Sequence, residues 1–479
     1  MSANKRSHSS AFSKNFPQNG LTKRNFVLYW RRYAVISCHV PDEGERRSSS
    51  FLPGKENRTF MKQHYDLIVV GGGFAGTCAA IEAARGGADV LLVEKYNCLG
   101  GATANCLVMP FMRYWSVMPE TGEKKNLAGG LFLEIVEGLK ELDPKSTATL
   151  FDEEILKLLL NRMCLESGVK LLFDTTVVEV HREGNRITGI EALGKSKRLS
   201  LTADAFIDAT GDAELSMLAG CECRVGRESD GLCQPMTLCF RMSNVNKEIF
   251  KQNRAMINPL YKEFKEKGLI KNPREDVLLF GNFNKGVLHF NTTRVVKLDP
   301  TDPFAVTQAE IEAREQVFEI WRFLRENIPG FEECRVQSTA LQIGIRESRK
   351  IVGEYTLTVE DLKSLARFED AIATANYDID IHSPTGEGTS HYFFPDGDWY
   401  EIPYRCLLPK DMENLLVAGR CISSTHEAQA SYRIMPYCAE LGQAAGVAAA
   451  VAKKNGSSLR EVDVCEVRTL LRERGFAIS

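Results

Sequence analysis

Residues 65–94 constrain the fold more than any other part of the chain. Tyr65–Val70 (YDLIVV) is a short β-branched run, apolar on both faces, as a buried parallel strand requires. Gly71-Gly72-Gly73-Phe74-Ala75-Gly76 follows, then a small-residue helix through Arg85, and Asp89–Glu94 (DVLLVE) forms a second strand. This is a βαβ unit in about thirty residues. Gly71, Gly73 and Gly76 fit G-x-G-x-x-G: the first makes the tight turn, the second lets a pyrophosphate reach the backbone, and the third lets helix and strand pack closely. The helix N-terminus then offers free N–H groups to an anion. Glu94 closes the second strand eighteen residues after Gly76, where a carboxylate accepts hydrogen bonds from a ribose diol. Glycines alone prove little; with a strand before, a helix after and an acid in place, they point to a dinucleotide.

A cofactor longer than NAD must be wrapped by segments that return to it with small residues. Lys95 adjoins the acid, and Gly100-Gly101-Ala102-Thr103 is placed to follow the pyrophosphate and ribityl chain. Val177, in a region of strand pairs, is also expected at the cofactor, as are Ala209-Thr210-Gly211-Asp212 at the end of a later buried strand. Asn414–Arg420 (NLLVAGR) is another buried strand, bringing in Gly419 and Arg420. Gly442-Gln443-Ala444-Ala445-Gly446 is expected to open a helix whose N-terminus faces the cofactor's electron-rich end. Each segment alone also suits ordinary packing, but their order and spacing together point to FAD.

The remaining chain suggests how the fold divides. Helical spacing covers Phe151–Ser167, strands at Val169–Glu179 and Arg186–Ala192 meet at a Glu-Gly-Asn turn, and Asp204–Thr210 returns to a buried strand. From about Arg224 to Trp399 the pattern changes, with a strand at Met236–Met242, a helix over Thr307–Asn327 and turn-rich stretches. The expected fold is therefore α/β: a Rossmann-type FAD-binding domain, a parallel sheet plus a small antiparallel layer, split over 61–223 and 400–479. An α+β substrate domain over 224–399 is inserted into it. Residues 1–60 hold eleven Lys/Arg against four Asp/Glu, or +7, so the remainder carries −10 of the net −3. That leader reads as a disordered extension or as sequence upstream of a true start at Met61, although a transit peptide has a similar composition. The acidic body offers no basic surface for nucleic acid. No apolar run approaches the roughly 18 residues that span a bilayer. Fourteen scattered Cys and the lack of a secretory signal suit a reducing, cytoplasmic setting.

The stretches YDLIVVGGGFAG, VEKYNCLGGATA, IDATGDAEL, IGIRESRKIVGEY, YDIDIH, IPYRCLLPKDMENLLVAGRCISSTHEA and RIMPYCAELGQAAG, spread over 65–455, resemble the FAD-dependent oxidoreductases. The resemblance is to glutathione-reductase-type Rossmann flavoproteins, with fumarate reductase flavoproteins as more distant relatives and the flavin subunit of heterodisulfide reductase as another branch. It implies non-covalent FAD and a split FAD domain enclosing a substrate domain. There is no second G-x-G-x-x-G, so an internal NAD(P)H domain is not supported, and there is no C-x-x-C pair. The ferredoxin run C-x2-C-x2-C-x3-C is absent too; Cys221, Cys223, Cys233 and Cys239 form the one local cluster. Free buried thiols are expected there, with a [4Fe-4S] centre as the alternative.

Hydride exchange at a flavin with a C–H bearing an alcohol or amine calls for a proton carrier. Of eight His, His8 and His39 lie in the leader, His64 precedes the first strand and His181 is peripheral, leaving His289, His382, His391 and His426. His426 follows the NLLVAGR strand and is the first candidate; equally, it can brace its loop. His382 is next, and Arg346 and Arg433 can neutralise a substrate carboxylate or enolate, or form structural ion pairs. His391 and Tyr392 lie in a possible lid, and Asn291 and Arg294 are weaker candidates. The expected function is an FAD-dependent oxidoreductase moving a hydride between a small organic substrate and flavin N5, electrons passing to a separate acceptor. The alternatives are an electron-transfer subunit like that of heterodisulfide reductase and a non-enzymatic flavin binder.

Overall fold

Strands that are apolar on both faces must be covered on both, and the central sheet obeys this rule. The computed structural model describes residues 63–386 and 388–479; the leader 1–60, His8, His39 and Met61 lie outside the described residues. The first elements are β1 (His64–Val70), α1 (Phe74–Arg85), β2 (Val90–Val93), α2 (Ala102–Cys106) and α3 (Glu153–Glu166). Then come β3 (Lys170–Leu172), β4 (Thr175–Glu183), β5 (Arg186–Gly194) and β6 (Lys197–Asp208). β4 and β5 turn at 184–185, as the Glu-Gly-Asn signal predicts.

The seven-stranded sheet runs β3-β2-β1-β6-β5-β4, with a last strand, β13 (Leu415–Val417), also on β6. β3, β2, β1, β6 and β13 are mutually parallel, Val70 pairing with both Val93 and Asp208. β6 is longer than the strand expected at Asp204–Thr210. Its second half pairs with β1, while Lys197–Leu201 turns antiparallel to β5, so one strand joins the parallel sheet to the antiparallel layer. Leu67 and Val69 pack into one core with the helices; Ile68 and Val70 pack into another with the antiparallel layer.

A separate core gathers residues from Met236 to Ile343, joined by Leu107. It fills one side of a sheet ordered β8-β9-β7-β10, formed by β7 (Phe240–Ser243), β8 (Leu279–Gly281), β9 (Leu288–Phe290) and β10 (Arg335–Thr339). Met236 and Thr237, expected in a strand to Met242, make only isolated bridges to Val295 and Gly344, so the continuous strand starts at Phe240. α4 (Pro303–Asn327) buries Ala313, Val317, Ile320 and Leu324 in this core. It begins before the expected Thr307 because Asp302 caps it and Pro303 suits the first turn, where no N–H is needed. Leu357, Ile372, Ala373, Tyr400 and Ile402 belong to the first core, and the buried residues of the second, Leu107 apart, run from Met236 to Ile343. β11 (Ile379–His382) and β12 (Thr389–Tyr392) form a hairpin.

α5 (His426–Tyr432) and α6 (Met435–Asn455) complete the segment that matters most for the site. The helix expected to open at Gly442 instead starts at Met435, because Pro436 is tolerated in a first turn and Ile434 has extended backbone. Gly442 therefore lies inside α6, where it and Gly446 let the helix press onto α1. A Cβ on Gly442 would stand 1.9 Å from the Ala75 carbonyl oxygen, and one on Gly446 2.3 Å from that of Ala79. Gly442→Ala must push the two helices apart and should cost about 3 kcal/mol, the upper range for overpacking. Thermal unfolding of wild type and variant checks this, and an unchanged Tm would contradict the contact.

Candidate functional site

The carboxyl ends of four parallel strands meet at one edge of the sheet, where α/β folds bind ligands. Gly71 follows β1, Glu94 follows β2, Ala209 follows β6, and Ala418-Gly419 follows β13. Gly71 has φ +102°, and a Cβ there would stand 2.4 Å from the Ala209 carbonyl oxygen. A Cβ on Gly76 would fall 1.8 Å from the Gly71 carbonyl oxygen, so both outer glycines are required by packing. Gly73 differs: its φ is −70°, and a Cβ would meet nothing nearer than the Gly101 Cα at 3.8 Å. No protein contact requires glycine at 73, and the space beside it is open.

α1 has no side-chain cap, so the N–H groups of its first turn are left for a ligand. Gly100 donates to the Gly72 carbonyl at 2.9 Å, and Gly101 crosses Gly73 closely enough that a Cβ would sit 2.8 Å from the Gly73 Cα. Ala102 opens α2, and Thr103 behind it is buried, its hydroxyl on the Met435 sulfur. Glu94 Oε2 accepts from Gly72 N–H and Oε1 from Tyr96 N–H at 2.8 Å; burial pushes its carboxyl up against the pull of those donors. The buried Asn105 Nδ2 has no protein partner. A helix end left uncapped, an unhindered Gly73 and a free amide donor fit a dinucleotide with its pyrophosphate over the loop.

The other expected cofactor residues divide. Phe74 packs edge-on to Phe111 at 5.5 Å, and Ala75 supports Gly419 and Gly442, so the backbone of these two faces the loop. Lys95 is turned to Glu214, 3.0 Å away. Val177 packs, partly buried, in the core under the antiparallel layer. Thr210 donates to Asp208 Oδ1 at 2.7 Å. Arg420 staples the far side: Nε donates to the Gly211 carbonyl at 3.0 Å, Nη2 meets Asp212 Oδ1 at 2.6 Å, and Nη1 donates to the Ile345 carbonyl. Gln443 lies away from the loop, accepting from Leu131 N–H at 2.8 Å and donating to Glu82 at 3.0 Å, while Ala444 and Ala445 are core. The open helix end expected at Gly442 exists instead at Ile434–Tyr437, with no side-chain cap and beside Thr103.

His426 begins α5, its Nδ1 2.7 Å from Glu347 Oε2, both side chains buried. The approach is short but not aligned as a strong hydrogen bond. Glu347 also takes Lys350 Nζ on its other oxygen and Gln234 N–H at 3.0 Å, and these partners outweigh burial to hold its carboxyl below the usual range. Gln234, which no sequence motif marks, connects this trio to a second group: its Oε1 accepts from His382 N–H at 3.4 Å and from Arg433 Nη2 at 3.5 Å. Asp380 lies 3.4 Å from His382 Nε2 and 3.5 Å from Arg433 Nη2. Arg346 donates to the Pro235 carbonyl at 2.8 Å and Thr237 Oγ1 at 2.6 Å and, among the described residues, forms no ion pair. It lies deep among protein atoms yet is still partly accessible, and burial, then Arg433, lowers its pKa to about 9.

Arg294 joins this group through His382 Nδ1 at 3.1 Å and Glu275 at 2.9 Å, but Asn291 does not. His391 pairs with Asp378 from the exposed second strand of the hairpin, which also carries Tyr392. His289 is buried on the second sheet with no partner for either ring nitrogen. Cys221, Cys223 and Cys239 fall in different hydrophobic clusters. No group of three or more His, Cys, Asp or Glu among the described residues is placed to hold a metal, and no helix there is long and apolar enough to cross a membrane.

A family model described as FAD dependent oxidoreductase matches residues 66–471. Digoxin reductase of Eggerthella lenta is 45% identical over 60 residues, 12% of this chain and 11% of that protein. Digeranylgeranylglycerophospholipid reductase of Methanocaldococcus jannaschii is 27% identical over 123 residues, 25% of this chain and 32% of that one. The matches thus span less than two fifths of these relatives' own length (11% and 32%). A solved structure, a geranylgeranyl bacteriochlorophyll reductase-like protein of Thermoplasma acidophilum, aligns over 86% of this chain and 84% of its own at 13% identity and TM-score 0.42.

Two outcomes test this geometry. Gly73→Val should fold with near-native Tm yet purify without yellow colour, because only the cofactor needs that space; a fully flavinated variant would remove the loop's assignment. Burial, then Arg241, lowers His289 to about 4 from 6.5. Its neutral form is therefore the one that folds: stability is complete above about pH 6.5 and falls as the pH drops toward 4, by up to about 3 kcal/mol. His289→Phe should lose less stability over that interval in parallel denaturant titrations.

Proposed function

The chain belongs to the FAD-dependent oxidoreductase family, and from that premise we propose that it moves a hydride between a small organic substrate and FAD, electrons leaving to a separate acceptor. FAD supplies the two-electron chemistry. In this reading 61–223 and 400–479 hold the cofactor: Gly71, Gly73, Gly76 and the open end of α1 at the pyrophosphate, Glu94 at the ribose, Gly100–Thr103 beyond. The 224–399 stretch brings Gln234, Arg346, Asp380 and His382 to the substrate side. A reducing, cytoplasmic setting suits the free thiols.

The observation that carries the reading is the buried His426–Glu347 contact, made by the residue that follows Arg346 in the chain. A carboxylate on Nδ1 orients the ring and leaves Nε2 to exchange a proton with substrate. Glu347 is itself fixed by Lys350 and Gln234 N–H, so the ring is held from a rigid support. His382 suits the task less, since burial and then Arg346 press its pKa to about 3 and leave it a weak base; it is better placed to position Asp380 and Arg294. Arg346 and Arg433 supply positive charge on the substrate side, and the N-terminal end of α6 adds its dipole.

Anaerobic mixing with hydroxy acids, sugars and amines, read as bleaching of the flavin bands, tests the reaction. With the active substrate, His426→Gln should slow bleaching by ~10²–10⁴, the range for a lost general acid or base, at unchanged flavin content. Equal rates in both proteins would take His426 out of the reaction. If no organic compound bleaches the flavin, the reaction itself is wrong.

A further inference from the structure

The outer face of α4 carries apolar side chains where solvent-facing ones belong. The helix buries Ala309, Ala313, Val317, Ile320 and Leu324 in the second core, yet Phe304, Ile311 and Phe318 are 85%, 63% and 52% exposed. Spaced seven residues apart, the three form one stripe roughly 21 Å long. Loops on the two flanks extend it. Ile343 N–H donates to Glu310 and Lys271 N–H to Glu319, which sets Leu341 on one side of the helix and Leu269 on the other, each more than half exposed. Among the described residues only two other large apolar side chains, Leu165 and Phe393, are more than half exposed. Five such groups gathered around one helix mark an interaction surface rather than the scattered exposure of an ordinary monomer.

The stripe is its own complement. A phenylalanine lies seven residues to each side of Ile311, so a half-turn about an axis at Ile311 sets that residue on its own copy and each Phe304 beside a Phe318. The charges select the same arrangement. At 100° per residue, Thr307, Glu315, Arg322 and Arg325 lie within about 40° of Ile311, while Glu310, Glu312 and Glu319 lie about 80–100° away, outside the contact. Arg314 is paired with Glu310 at 2.6 Å, and Arg325 donates to the Glu332 carbonyl at 3.1 Å. Glu315 and Arg322 have no partner among the described residues. Two α4 helices packed parallel would set Glu315 against Glu315 and Arg322 against Arg322. Packed antiparallel, Glu315 meets Thr307 and Gln308, and Arg322 reaches the turn that carries Asp299 and Asp302. Like charges are kept apart, and the two helix dipoles run opposed.

We propose that this face of α4 docks a second copy of the chain, as an antiparallel twofold pair centred on Ile311. Each copy covers the other's Phe304 and Phe318, so every contact is made twice. The pairing lies on the outer side of the second core and leaves the glycine loop untouched.

Sedimentation equilibrium of the full-length flavin-loaded protein, over ~1–100 μM, tests this. The average mass should rise with concentration from 53.5 kDa toward twice that value. Ile311→Asp puts two like charges on the axis and should weaken dimerisation at least ~10-fold, as for a central contact, with flavin content unchanged. Direction is read by cross-linking with copper–phenanthroline in air, wild type serving as the control for native thiols. Ile311→Cys should give a disulfide-linked dimer. Phe304→Cys should give none alone, but should do so when mixed with Phe318→Cys. A single-chain mass throughout would leave the face to some other protein and overturn the proposal. A dimer that Ile311→Asp leaves intact, or cross-linking of Phe304→Cys by itself, would overturn it equally.

Discussion

Everything in this protein depends on how closely its backbone approaches itself at the turn after β1. The Gly71 carbonyl occupies the space a side chain at 76 would need, and the Ala209 carbonyl the space of one at 71. That closeness brings the start of α1 to the sheet edge, and α6 then rests on α1 through Gly442 and Gly446. The last strand, the second return of the chain at Gly211 and helices α5 and α6 all take their positions from this stack. It is the Rossmann-type arrangement of the FAD-dependent oxidoreductase family, built from contacts too tight for any Cβ.

On top of that frame the polar groups are arranged by scarcity. Two buried networks, His426–Glu347–Lys350 and His382–Asp380–Arg433, meet at Gln234, whose backbone serves one and whose side chain serves the other. Arg420 performs a similar joining role with backbone carbonyls, holding Gly211 and Ile345 in one grip. Charges buried this deeply are costly unless paired, and each of these carboxylates has a cationic or N–H partner.

The βαβ unit, the acid at Glu94, the turn after Glu183 and the later buried strands were legible because each has a local signal: glycine spacing, strand periodicity or turn residues. Gly442 shows where local signals mislead. A glycine in a small-residue helix looks the same whether it opens the helix or lets another helix approach, and only the partner distinguishes the two. Lys95, Thr210 and Gln443 fit a cofactor motif by position yet spend their side chains on Glu214, Asp208 and Glu82. Gln234 and Asp380 went unmarked because their roles arise from neighbours more than a hundred or about fifty residues away, as with Gln234–Arg433 and Asp380–Arg433, and no spacing rule reaches that far.

One strand sets a condition on the order in which the molecule is made. β6 has β1 on one side, and among the described residues its other edge in the parallel half is covered only by β13, at Leu415–Val417. Until that late segment leaves the ribosome, the nascent chain carries a bare, apolar strand edge at the centre of its main sheet, open to pairing with other chains. Helix α6, which covers α1, emerges later still. The glycine turn is therefore synthesised early but gains its full surroundings only at the end, and a chain stopped before residue 415 would aggregate or be cleared rather than work as a smaller protein.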